Sequence, residues 1–389
     1  MINITKMLTE FDSYGDKLRY HKDCRDNSHG VRKGMGPVVV WNCTNKCNLS
    51  CKHCYSSSGK EYNQVLSTEE GINLIKNLAS FNIPVLLLSG GEPLLRDDIF
   101  YLIKKAREND IRVVISSNGT LLDKNTVKKL KELEVSYLGI SIDGKEKIND
   151  KFRGDKGAYK RALEGIRTCK KFSLKVGLRF TINKFNYQQI DDMFKLIQKE
   201  DIPRICFYHL VYSGRGKNLK NSDLVSSRKR VVMEKIIEWT QKFIDKNDPR
   251  EILTVDNHAD GVYLYLKMLK NDPEKARIVY KRLVLSGGNR SGIAIANIDA
   301  KGRVHPDQFS QDFNLGNVKE KSFSEIWTDK SNDLLNKLRN RKQYLKGKCK
   351  QCKFLDLCNG NLRARAYGET GDFWASDPGC YLKEEKVIK

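Results

Sequence analysis

Between residues 37 and 209, short apolar runs alternate with longer segments of helical period, and this alternation leaves few folds open. The apolar runs fall at residues 37–41, 85–88, 112–115, 137–142, 176–181 and 204–209. Helical patterns occupy residues 67–81, 97–109, 123–133, 158–171 and 187–199, the first opened by the capping box Ser67-Thr-Glu-Glu70. Short apolar strands separated by helices read as parallel strands with right-handed crossovers, so the fold class is α/β. Six such units fall short of a closed eight-stranded barrel. A partial (β/α)6 barrel is therefore expected, spanning residues 37–227.

Around this core, residues 1–36 read as an irregular lead-in. Residues 228–290 read as a helical bridge, with helices at 229–244, 261–269 and 273–285. Residues 291–389 form a C-terminal cysteine-rich region, with short strands at 293–298 and 303–305 and a helix over 323–339. A chain of 389 residues suits two or three domains. It contains no run of 18 apolar residues, so no membrane span is expected. Its start, Met1-Ile-Asn-Ile-Thr-Lys6, has neither an apolar signal core nor an Arg-rich transit pattern, and a cytoplasmic chain is expected. The net charge of +23 favours anionic partners. The lysines are spread along the chain, as at Lys128-Lys129 and Lys170-Lys171, and no nucleic-acid module is recognised. Oligomeric state is not legible.

Eleven cysteines in such a chain point to metal rather than to disulfides. Seven fall into two groups, while Cys24, Cys43, Cys169 and Cys206 are scattered and read as packing residues. In the first group Cys47, Cys51 and Cys54 follow C-x3-C-x2-C, with Tyr55 next in line. Three thiolates on one loop can hold three irons of a 4Fe-4S cluster and leave the fourth iron open. The competing reading is a zinc knuckle, but zinc usually takes four ligands, and His53 lies between two of the cysteines.

The C-x3-C-x2-C loop with its adjacent tyrosine resembles the signature of the radical S-adenosylmethionine (radical SAM) superfamily. Gly90-Gly91-Glu92-Pro93, at the end of the second strand, resembles that superfamily's methionine-binding motif. The resemblance implies the same partial barrel and a radical-generating cluster that binds S-adenosylmethionine. It implies that Gly90, Gly91 and Glu92 hold the amino group of S-adenosylmethionine. Asn118, Ser141 and Arg179, at later strand ends, are candidates for its ribose and carboxylate, with Arg153 a further one. Tyr55 joins the same cofactor-binding set, and the cysteines are the catalytic and metal-binding set. Such chemistry also needs a low-potential electron donor of flavodoxin or ferredoxin type.

The second group, Cys349-x2-Cys352-x5-Cys358 and then Cys380, supplies four thiolates, enough for a closed 4Fe-4S cluster or for one zinc. It resembles the SPASM/Twitch extension of radical SAM enzymes. Asp307 and Leu362 stand where a full SPASM domain would carry further cysteines, so one auxiliary cluster is expected. Residues 39–42, 256–261, 287–292, 304–309 and 371–381 resemble the tetrapyrrole-trimming group of the superfamily. That group includes 12,18-didecarboxysiroheme deacetylases and d1-type haem biosynthesis enzymes. The resemblance implies an iron tetrapyrrole substrate that loses carboxyl-bearing side chains, two acetates in the deacetylase case. Arg215, Arg290 and Arg303 could meet substrate carboxylates. His209, His258 and His305 are candidate axial ligands or proton donors. Two other readings remain: a peptide maturase with the same clusters, and a non-catalytic zinc protein associated with nucleic acid.

Overall fold

The computed structural model describes residues 1–24, 29–60 and 65–388. Residues 25–28 of the expected lead-in, residues 61–64 of the expected barrel and Lys389 lie outside the described residues. Eleven described strands form one sheet: β1 (Ile2–Asn3), β2 (Val38–Thr44), β3 (Leu86–Gly90), β4 (Val113–Ser117), β5 (Tyr137–Ser141), β6 (Val176–Ile182), β7 (Arg204–His209), β8 (Glu251–Val255), β9 (Ile295–Ile298), β10 (Arg303–His305) and β11 (Gly316–Asn317). Their order is β1-β8-β7-β6-β5-β4-β3-β2-β9-β10-β11. Strands β2 to β8 run parallel. The six expected strands are β2 to β7, and the first expected helix is present at Thr68–Ser80 with both capping-box hydrogen bonds formed.

Two expectations are corrected. The region read as a helical bridge does contain helices Ser226–Asp245, Ala259–Asn271 and Pro273–Ser286, but between the first two lies β8, a seventh parallel strand. All five residues of β8 are buried against β7, so tertiary packing fixes a strand that is too short to show a clear period. The lead-in is not irregular either. It forms β1 and the helices Ile4–Leu8 and Tyr14–Arg19, and β1 pairs antiparallel with β8 at the sheet edge. Ile2, Ile4 and Met7 are buried there. At the opposite edge, β9 continues the sheet parallel to β2, and β10 and β11 follow antiparallel.

The period of two along each strand divides the sheet into two faces. Trp41, Leu88, Ile115, Ile140, Phe180 and Phe207 are at most 1 % exposed in the core shared with the helices. The intervening residues, among them Ser89, Ser116, Ser141, Arg179 and Tyr208, line a cavity of about 870 Å³. Full burial of each large apolar side chain stabilises the fold by about 1.5–3 kcal/mol. The opposite face carries hydroxyls and guanidinium groups that an apolar layer would not accommodate unpaired.

Candidate active site

The loop after β2 carries Cys47, Cys51 and Cys54, and all three line the cavity. It is held from several sides. Cys47 N donates to Gly59 O at 2.7 Å, and Leu49 N approaches Cys47 Sγ at 3.4 Å. Arg215 donates from Nε to Cys51 O at 2.8 Å and from Nη1 to Ser58 O at 2.7 Å, while its own backbone N–H reaches Cys54 O at 2.9 Å. Arg153 Nη1 lies 3.6 Å from Cys51 Sγ, and its Nη2 pairs with the buried Asp143 at 2.5 Å. The His53 ring stacks on Phe152 with centroids 4.6 Å apart, and burial lowers its pKa to about 4, so it is neutral at pH 7.

Gly90 and Gly91 serve the same loop. Gly91 N donates to Thr44 O at 2.7 Å and Glu92 N to Lys46 O at 2.9 Å. A Cβ on Gly91 would lie 2.1 Å from Lys46 O, and one on Gly90 would lie 2.1 Å from Thr44 O. Only glycine allows the end of β3 to approach this closely. Gly90 and Gly91 line the cavity, but Glu92 is not among the lining residues. Its carboxylate is fully buried and accepts from Ser117 Oγ at 2.9 Å and Asn118 N at 2.8 Å, and burial raises its pKa to about 7. Glu92 therefore ties the end of β3 to the end of β4.

The remaining candidates divide by position. Tyr55, Asn118, Ser141 and Arg179 all line the cavity. Tyr55 Oη lies 3.0 Å from Asn42 Oδ1 and 3.1 Å from Ser89 Oγ. Asn118 Nδ2 donates to Asn48 Oδ1 at 2.8 Å, so this side chain joins a strand end to the cysteine loop. Asn48 was not singled out from sequence, because an asparagine in a polar loop has no distinguishing pattern. Arg179 Nη1 donates to Ser116 Oγ at 2.8 Å, its Nε is buried without a partner, and no carboxylate pairs with it among the described residues. Gly139 makes room for it, since a Cβ there would lie 2.1 Å from Arg179 Nε.

Two expected contacts, Arg303 and His305, are corrected. Arg215 lines the cavity and also braces the cysteine loop. Arg290 lines the cavity, but its guanidinium donates to Val31 O at 3.0 Å and Gly30 O at 2.8 Å. Arg303 pairs with Asp299 at 2.7 Å off the cavity. His305 is fully buried off the cavity, with Nδ1 2.9 Å from Phe313 O. His209 and His258 do line the cavity.

Cys349, Cys352, Cys358 and Cys380 surround a second void, of about 20 Å³, together with Ala259 and Val262. Among the described residues, no group of three or more Cys, His, Asp or Glu is gathered so as to hold a metal ion. Four thiols around one void suffice for a closed 4Fe-4S cluster or for one zinc ion. The donor chemistry at both sites fits iron–sulfur clusters. All the cysteines are free thiols. Burial pushes Cys47 up to about 12 and Cys380 to about 11, so thiolates at these positions require a bound cation.

Residues 41–197 match the radical SAM superfamily, and residues 292–353 match the SPASM iron-sulfur cluster-binding domain. Along the whole chain, Fe-coproporphyrin III synthase of Methanosarcina barkeri is 50% identical, with 100% of this chain and 99% of that protein covered. The chain belongs to the radical SAM superfamily. Pre-heme d1 synthase of Dinoroseobacter shibae is 41% identical to this radical SAM enzyme, over 95% of this chain and 91% of that protein. The solved structure of Streptococcus suis SuiB bound to S-adenosylmethionine shares its fold, with a TM-score of 0.69 at 17% identity over 90% of this chain and 78% of that one. The cofactors of this radical SAM enzyme are a 4Fe-4S cluster, an auxiliary cluster and S-adenosylmethionine. The SPASM match reaches Cys349 and Cys352, while Cys358 and Cys380 lie beyond it. No described helix is long and apolar enough to cross a membrane.

The separation of the two cysteine sites gives an expectation. Cys380→Ala should lower iron by about four atoms per chain, the content of one cluster, and leave reductive cleavage of S-adenosylmethionine measurable. Anaerobic iron analysis and deoxyadenosine chromatography check this; loss of both clusters would show that the sites are not independent.

Proposed function

We propose that this radical SAM enzyme acts in haem biosynthesis, removing the two acetate side chains of 12,18-didecarboxysiroheme to give iron-coproporphyrin III. The observation that carries the reading is the full-length similarity, at 50% identity, to a protein named for making Fe-coproporphyrin III. The cavity supports it. At about 870 Å³ it stands near the top of the usual range of about 300–1,000 Å³ for small-molecule pockets.

In this reading Cys47, Cys51 and Cys54 hold the radical cluster, and Cys349, Cys352, Cys358 and Cys380 hold the auxiliary one. When bound, the first cluster and S-adenosylmethionine supply a 5′-deoxyadenosyl radical, which takes hydrogen from an unactivated carbon. Gly90 and Gly91 present the end of β3 to the methionine amine, and Glu92 fixes their position relative to Asn118. Asn118, Ser141 and Arg179 face the ribose and carboxylate, with Tyr55 setting the floor beneath them. The enclosing wall excludes water and orients the substrate carbon toward the radical.

A second reading has its own support. Pre-heme d1 synthase matches at 41% identity, and in that reading propionate groups leave instead. Anaerobic incubation with 12,18-didecarboxysiroheme, S-adenosylmethionine and a reductant separates the two by product mass. Loss of two acetates is the expected result. Loss of propionates would transfer the enzyme to the second reading, and an untouched tetrapyrrole with no deoxyadenosine would remove both.

A further inference from the structure

Three histidines line the cavity: His53, stacked on Phe152 within the cysteine loop, and His209 and His258, whose surroundings differ. His258 Nδ1 is buried without a partner among the described residues, and its Nε2 lies 3.2 Å from the Met1 nitrogen. His209, the last residue of β7, places Nε2 2.9 Å from Asp260 Oδ2. Asp260 Oδ1 in turn accepts from Tyr381 Oη at 2.7 Å. His209, Asp260 and Tyr381 are 3 %, 0 % and 1 % exposed, so the chain of contacts is dry. A carboxylate can only accept, so the proton on this contact belongs to Nε2. In the tautomer that carries this proton on Nε2, the lone pair is on Nδ1, which has no hydrogen-bond partner among the described residues, and the residue lines the cavity.

This is how a metal-binding imidazole is prepared. Histidines that ligate metals commonly donate their other N–H to a carboxylate, which fixes the tautomer and ring orientation and strengthens the donor nitrogen. Here the carboxylate is itself held by Tyr381, so the ring is doubly constrained. We propose that His209 is the protein's ligand to the iron of the bound tetrapyrrole, through Nδ1, with Asp260 as its positioning residue. Ligation forms one Fe–N bond from the Nδ1 lone pair and moves no proton or electron. The inference rests on the tetrapyrrole reading above and assigns the site within it. His209 ends β7, and the segment that follows it reaches the cysteine loop, where Arg215 N donates to Cys54 O at 2.9 Å. Tyr381 adjoins Cys380, so the same contacts link the substrate iron's ligand to the auxiliary-cluster wall.

Holoenzyme with both clusters would be titrated with ferric iron-coproporphyrin III and followed by electron paramagnetic resonance and magnetic circular dichroism. Wild type should give a nitrogen-ligated ferric signature. His209→Ala should lose that signature, and His209→Gly should regain it when imidazole is added, which shows that the variant is folded. Asp260→Asn should keep the ligand but move the iron midpoint potential upward, since a weaker acceptor makes the imidazole a poorer donor. A purely structural role for Asp260 would leave that potential in place. Persistence of the nitrogen signature in His209→Ala overturns the assignment, as does wild type that binds the tetrapyrrole without nitrogen ligation; in both cases the tetrapyrrole reading stands. Failure of wild type to bind the tetrapyrrole at all overturns both.

Discussion

Cys51→Ala is expected to abolish cleavage of S-adenosylmethionine, with no deoxyadenosine formed on any timescale that wild type needs for turnover. The loop offers three thiols for the radical cluster, and nothing nearby can replace one. The neighbouring His53 is engaged elsewhere, stacked on Phe152 and 3.7 Å from Asp143. The change also removes the contact of Arg153 Nη1 with the sulfur at 3.6 Å, while its ion pair with Asp143 remains. Anaerobic iron analysis should fall from about eight to about four atoms per chain, because the auxiliary cluster is built from separate cysteines. Retained cleavage activity would show that the C-x3-C-x2-C loop does not carry the reaction.

Gly91→Ala should be nearly as damaging, although the added group is one methyl. Its Cβ would lie 2.1 Å from Lys46 O and 2.6 Å from Lys46 C, and both are backbone atoms that cannot swing aside. Relief requires the end of β3 to part from the cysteine loop, which weakens the hydrogen bonds Gly91 N–Thr44 O and Glu92 N–Lys46 O. Overpacking of this kind costs about 1–3 kcal/mol, and each lost hydrogen bond adds about 1 kcal/mol. A shift of about 1 Å in the loop should lower cleavage of S-adenosylmethionine by about a hundredfold. Gly59→Ala is the matched control, since nothing among the described residues lies within 4 Å of its Cβ, and it should behave as wild type. Equal activity of the two variants would contradict this account of the GGE segment.

The contrast between these glycines bears on how much could be read from the sequence. The alternation of apolar runs and helical segments located β2 to β7 because each strand buries apolar residues against the helices that separate the strands in sequence. β8 escaped because Glu251-Ile-Leu-Thr-Val255 is short and shows no alternation, and its place is set by pairing with β7. β1, two residues long, is likewise defined only by its partner. At the site, cysteine spacing was legible because Cys47, Cys51 and Cys54, and likewise Cys349, Cys352 and Cys358, lie close together in sequence. The roles of single polar residues were less so. Glu92 and Arg215 stand in motif-bearing segments, yet the structure uses both to fix backbone around the cysteine loop. Arg303 and His305 lie in a similar segment but away from the cavity, because no residue of β10, which lies beyond β9 near the sheet edge, is among the cavity-lining residues. Asp260 was visible only as part of a short motif; its partners His209 and Tyr381 are 51 and 121 residues away in sequence.

The central claim is that the radical formed beside Cys47, Cys51 and Cys54 acts on a carbon of a tetrapyrrole held in the same cavity. The most direct test is turnover of 12,18-didecarboxysiroheme carrying deuterium on its non-exchangeable ring and side-chain carbons, with mass analysis of the 5′-deoxyadenosine released. Deuterium in the 5′-deoxyadenosine, in step with formation of iron-coproporphyrin III, is the predicted result. Unlabelled 5′-deoxyadenosine alongside an unchanged tetrapyrrole would contradict it.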